Sequence, residues 1–131
     1  MRGGTELGRV RGLGSAKAGA HHWLTHRITA ASNLFLMLWF VIVIARLPAY
    51  DYATVRPWLA SAWVAVPMIL LIVSVFWHFR LGLQVVIEDY VHAETRVALM
   101  FALNFFVVAT SAIAIFSILK VAFTAAAGVP A

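Results

Sequence analysis

Three long apolar runs restrict this 131-residue chain more than any motif does. They extend from about Ile28 to Ala45, from about Trp58 to Trp77 with an interrupted continuation to Ile87, and from about Val97 to Phe123. Each covers the roughly 20 residues that carry a helix across a hydrocarbon core. Backbone polar groups in lipid must be satisfied within the segment, so helices are expected. The short alternating segments of a membrane barrel are absent. Composition agrees: 63% of residues are hydrophobic and only 11% charged, against about 25% charged in soluble domains. The polar groups are too few to coat a water-facing surface. The fold class expected is an all-α membrane protein with three transmembrane helices.

Residues 1–20 are basic and Gly-rich and are expected to form a cytoplasmic N-terminal segment. Residues 21–131 then form the anchor domain, with spans at about 24–46, 59–88 and 96–123. The first apolar run is too long for a signal-peptide core and lacks a convincing small-residue cleavage site, so it is kept as a span of the mature protein. The segment "RLPAYDYATVRP" joins the first two spans, and Pro57 suits a first helical turn, where its missing N–H costs nothing. Pro67 is a candidate kink. "HAETR" is expected to turn into the third span, and residues 124–131 to form a frayed tail.

The net charge of +5 would suggest nucleic acid in a soluble protein. Here the basic residues crowd the ends of the apolar runs, which is the signature of membrane orientation. Arg2, Arg9, Arg11, Lys17, Arg27 and Arg96 fall on one side, and Arg46, Arg56 and Lys120 on the other. Six against three places the N-terminus in the cytoplasm and the C-terminus outside. There is no cysteine, so this chain supplies no disulfide, iron–sulfur ligand or catalytic thiol.

The second span carries His78, Arg80, Gln84, Glu88 and Asp89 within twelve residues. At about 100° per residue, His78, Gly82, Val85 and Asp89 share one face, while Arg80, Gln84 and Glu88 form a stripe on roughly the opposite side. Lipid tolerates neither track: a charge at mid-span costs at least about 2.5–3.5 kcal/mol. Both faces are therefore expected to meet protein, cofactor or water, and partner chains are inferred. A buried neutral imidazole can ligate haem iron, hydrogen-bond another helix or relay protons. His21, His22 and His26 sit at the start of the first span, too near the membrane surface to share a mid-membrane iron with His78, so a second ligand is expected from another chain. Gly82 permits close approach of a flat ring or a helix. Tyr90 beside Asp89 suits a quinone carbonyl, but on the residues alone an aromatic belt and a helix end are the favoured reading.

"HFRLGLQVVIEDYVH", residues 78–92, carries the pattern His-x3-Gly-x-Gln-x4-Asp-Tyr. It resembles the signature of the small hydrophobic anchors, the D-type subunits, of succinate dehydrogenase (respiratory complex II). "GLGSAKAGAHHWLTHRITA" resembles the approach and first-helix start of bacterial members. The likeness covers most of the chain. It implies a subunit of succinate:ubiquinone oxidoreductase that works in electron transport in the bacterial cytoplasmic (inner) membrane. The partners implied are a second membrane anchor, an iron–sulfur subunit and a flavoprotein subunit. It implies a b-type haem shared with the second anchor, and ubiquinone as substrate. Carried over by position, His78 is the axial haem ligand, Arg27 meets the haem propionates, Tyr90 hydrogen-bonds the quinone and Asp89 supports that site. Ser15, Lys17, His21, His22 and His26 lie in the approach segment, against the iron–sulfur subunit or near the quinone portal. No catalysis is expected from the isolated chain, which lacks a dinucleotide fingerprint. Two other classes stay open on the residues alone: a transporter or proton-channel subunit using His78, Glu88 and Asp89 as a relay, and an assembly factor without a redox role. For Arg80, three partners stay open: Glu88 through Gln84, the second anchor, or haem.

Overall fold

A computed structural model of the chain describes residues 19–126. The expected N-terminal segment, with Ser15 and Lys17, lies outside the described residues, as do residues 127–131. Four helices follow in order: α1 (Gly19–Ala45), α2 (Tyr52–Ala60), α3 (Ala62–Tyr90) and α4 (Ala93–Ala126). Three of them, α1, α3 and α4, are long and apolar enough to cross a membrane. At 1.5 Å per residue they measure about 40, 44 and 51 Å, so each exceeds the ~30 Å hydrocarbon core.

The helix ends follow from local chemistry. α1 stops just before Leu47-Pro48, where the residue preceding a proline is pushed out of helical geometry. The Tyr50 hydroxyl donates to the Ile44 carbonyl at 3.3 Å, folding the connection back on the helix end. Asp51 precedes α2 in extended geometry, and its carbonyl accepts from the Thr54 and Val55 N–H groups at 3.2 and 3.0 Å. One extended residue, Ser61 (φ −66°, ψ 129°), both ends α2 and starts α3. Its carbonyl takes the Val64 and Ala65 N–H groups at 2.9 and 2.8 Å, while its side chain makes no cap bond.

Three local expectations are corrected. The connector between the first two spans is half helical, because Tyr52–Pro57 belong to α2. Pro57 is the sixth residue of that helix, not in its first turn. The turn into α4 is only Val91-His92, since Glu94–Arg96 are helical.

α3 is the centre of the arrangement. It packs against α1 and against α4, and among the described residues α1 makes no packing contact with α4. The short α2 lies against α3 and α4. Phe76, Leu83 and Ile87 of α3, with Val91 just past its end, cluster with Met100, Leu103 and Val107 of α4. That stripe lies roughly 180° around α3 from His78. The side of α3 that bears His78 therefore belongs to α1. Helical periodicity in one span has set one face toward each neighbour.

Candidate functional site

His78 projects from α3 into the contact with α1. Its Nδ1 lies 3.0 Å from the Thr29 hydroxyl oxygen. One turn earlier on α3, the Ser74 hydroxyl donates to the Thr29 carbonyl at 3.4 Å. The two contacts fix the register of the helices at the level of His78. The ring of His26 tilts over the His78 ring, with centroids 4.5 Å apart and planes at 39°. His26 thus stands level with His78, although the first-span histidines were expected to lie too near the membrane surface to share an iron with it. The two rings are in contact, so no metal ion fits between them. Among the described residues there is no group of three or more His, Asp or Glu that could hold a metal ion.

Beside this pair runs an open cleft of about 450 Å³, lined by His22, Trp23, His26, Arg27, Gly82 and Val85. The Arg27 guanidinium lies over the Trp23 ring at 4.7 Å, a cation–π contact that steadies the charge at the cleft edge. A Cβ built on Gly82 would meet nothing within 4 Å in this chain. The absent side chain therefore opens space next to His78 and serves no packing need within the chain. Arg27 and Gly82, 55 residues apart in the sequence, line the same space because α1 and α3 lie side by side.

Asp89 and Tyr90 end α3, about 18 Å along the axis from His78. Tyr90 is 80% exposed. Among the described residues neither its hydroxyl nor the Asp89 carboxylate has a partner. The structure thus gathers His78, His26, Arg27 and Gly82 at one place and leaves Asp89-Tyr90 at the open end of the same helix.

The opposite track resolves differently. Arg80 Nε donates to Asn104 Oδ1 of α4 at 2.5 Å, and its guanidinium lies 5.7 Å from the Trp77 ring centre. Asn104 Nδ2 donates to the Met100 carbonyl at 2.8 Å, which turns its carbonyl oxygen toward Arg80. Gln84 Nε2 donates to Glu88 Oε1 at 2.8 Å, apart from Arg80. Arg80 therefore has a partner within its own chain, and the Gln84–Glu88 relay to it is not formed. Sequence reasoning missed Thr29 and gave Asn104 no role. For Thr29 a signal existed: His22, Thr25, His26, Thr29 and Asn33 recur at helical spacing through the first span.

Residues 1–127 match the family of succinate dehydrogenase/fumarate reductase transmembrane subunits. The succinate dehydrogenase hydrophobic membrane anchor subunit of Rickettsia bellii is 32% identical over 106 residues, covering 80% of this chain and 85% of that protein. The corresponding subunit of Rickettsia conorii is 29% identical over 107 residues, with the same coverage. No solved structure matches the chain at a significant level. With a match over nearly its whole length, the chain belongs to the succinate dehydrogenase/fumarate reductase transmembrane subunit family, as a hydrophobic membrane anchor.

Proposed function

We propose that this anchor helps to hold a b-type haem and to form the ubiquinone-reduction site of a succinate:ubiquinone oxidoreductase. It would do so with a second membrane anchor, and would dock the iron–sulfur and flavoprotein subunits at the cytoplasmic face of a bacterial inner membrane. The observation that supports the reading is a cleft lined by His26, Arg27 and Gly82, whose His26 ring touches the ring of His78.

The donor set fits the group. His78 engages Thr29 through Nδ1 alone, so Nε2 is the nitrogen left to ligate iron. Gly82 leaves room for a flat ring one turn away, and Arg27 brings a fixed positive charge suited to a propionate carboxylate. A b-type haem, when bound, supplies a one-electron carrier. His78 would hold the iron through Nε2, together with a residue of the second anchor. His26 tilts against the His78 ring and covers part of it.

At the cytoplasmic end, the Tyr90 hydroxyl would donate a hydrogen bond to a quinone carbonyl, and the Asp89 carboxylate would support it and pass protons. Their exposure in the single chain leaves them accessible to a substrate and to partner chains.

The quinone half of the reading is tested on the purified complex carrying Tyr90→Phe. Loss of one hydrogen bond should slow ubiquinone reduction roughly 3- to 10-fold, while succinate oxidation by an artificial dye stays at the wild-type rate. Equal loss of both activities would point to misassembly and count against the assignment.

A further inference from the structure

We infer that Thr29 is the positioning residue for His78: its hydroxyl oxygen accepts the Nδ1 proton of the imidazole and so fixes the tautomer in which Nε2 carries the free lone pair. The inference rests on the haem-ligation reading and goes beyond it, because it names the group that orients the ligand.

The geometry limits how the protons can be placed. A threonine hydroxyl has one hydrogen to donate. Thr29 Oγ1 lies 3.0 Å from the Thr25 carbonyl and 3.0 Å from the His26 carbonyl, one turn back on its own helix. The same oxygen lies 3.0 Å from His78 Nδ1. If the hydroxyl gave its hydrogen to Nδ1, its oxygen would face two carbonyl oxygens at contact distance with nothing between them. If it gives the hydrogen to the carbonyls, it accepts from Nδ1–H and every group is satisfied. Hydroxyls elsewhere in the long helices follow the second pattern: Thr110, Ser111 and Ser117 each donate to the carbonyl four residues back, at 2.6 to 2.8 Å. Such back-bonding is the usual resting place of a hydroxyl in an apolar helix.

Two features hold Thr29 where this requires. Its rotamer is set by the paired carbonyls, and its own carbonyl accepts from Ser74, one turn from His78 on α3. A hydrogen bond from Nδ1–H to oxygen raises the basicity of the opposite nitrogen, fixes the ring plane and stabilises the ferric state of a bound iron.

The test uses the assembled complex with Thr29→Val, which keeps the shape and removes the acceptor, and Thr29→Ser, which keeps the hydroxyl. Two quantities are read: the haem midpoint potential, and the rate of haem transfer to excess apomyoglobin. Thr29→Val should raise the potential and speed haem loss on the order of tenfold, and Thr29→Ser should stay near wild type on both. Should Thr29→Val fail to assemble, the same readings on Thr29→Ala decide. Unchanged values in the variant that lacks the hydroxyl would overturn the inference, as would a Thr29→Ser variant displaced as far as Thr29→Val. His78→Ala separates the two layers. Normal haem in that variant removes the ligand reading itself, whereas lost haem there with no effect at Thr29 removes only the positioning role.

Discussion

At the scale of single residues, α3 carries two polar tracks with different solutions. His78 is answered by Thr29 of α1 and Arg80 by Asn104 of α4. The Arg80 pair joins a full charge to a neutral amide, and the amide is held in place by its own bond to Met100. Asn104→Leu therefore leaves a guanidinium in an apolar groove formed by Val73, Phe76, Val107 and Val108. The expected cost is about 1.5–3 kcal/mol, read as a lower thermal midpoint of the detergent-solubilised complex. The double variant Arg80→Leu/Asn104→Leu should recover part of that loss, because no charge remains to be stranded. A double variant that loses the sum of the Arg80→Leu and Asn104→Leu losses would show that the pair is not coupled. His78, Arg27 and Gly82 stood out as candidate site residues because an ionisable group or a glycine in an apolar span demands a reason. Thr29 and Asn104 were harder to read. Neutral polar side chains are tolerated in membrane helices when they bond to their own backbone, so neither forces a partner on the reader. The own-chain partner of Arg80 was illegible for a related reason: stripe geometry gives the direction of a side chain but not which neighbour stands there.

At the scale of elements, the three spans were legible because lipid leaves a long apolar run one stable backbone geometry. The boundaries were less so. Ser61, a residue type that favours helix N-caps, breaks the run inside an apolar stretch that read as continuous, and α2 forms from a segment whose Pro, Tyr and Asp read as a loop. Ser61 has extended geometry but no side-chain cap bond. Ser61→Ala should therefore change stability by less than the ~1 kcal/mol usual for a helix cap, and a larger loss of helical signal on heating would contradict this. The α3–α4 seam should respond differently. Leu103 is buried at 5% exposure, in contact with Ile87 and Val107. Leu103→Ala should cost on the order of 2 kcal/mol, near the low end for soluble cores, because helices in lipid are held by close packing and gain little from leaving water. An unchanged thermal midpoint would mean that the seam is loose.

At the scale of the whole molecule, the chain looks like part of a larger object. α1 buries no residue, although it carries Thr29, Arg27 and His26. Its outward residues include Leu34 and Phe35, the latter 71% exposed. Lipid covers such a face without penalty, and so does a neighbouring anchor helix. The cleft by His78 opens on the α1 side of α3, away from the α4 seam, where a second anchor could complete it. Orientation can be read directly, since the natural chain has no cysteine to interfere. In intact cells, a cysteine at Ala49 should react with a membrane-impermeant maleimide from outside, and one at Glu94 only after lysis; the reverse pattern would invert the assignment of sides. The role proposed for His78 is tested most directly by the reduced-minus-oxidised absorbance spectrum of the purified complex, with and without His78→Ala. If His78 holds haem as proposed, the wild-type complex shows low-spin b-type bands, and the variant loses them while all subunits remain assembled. A wild-type haem spectrum in that variant would contradict it.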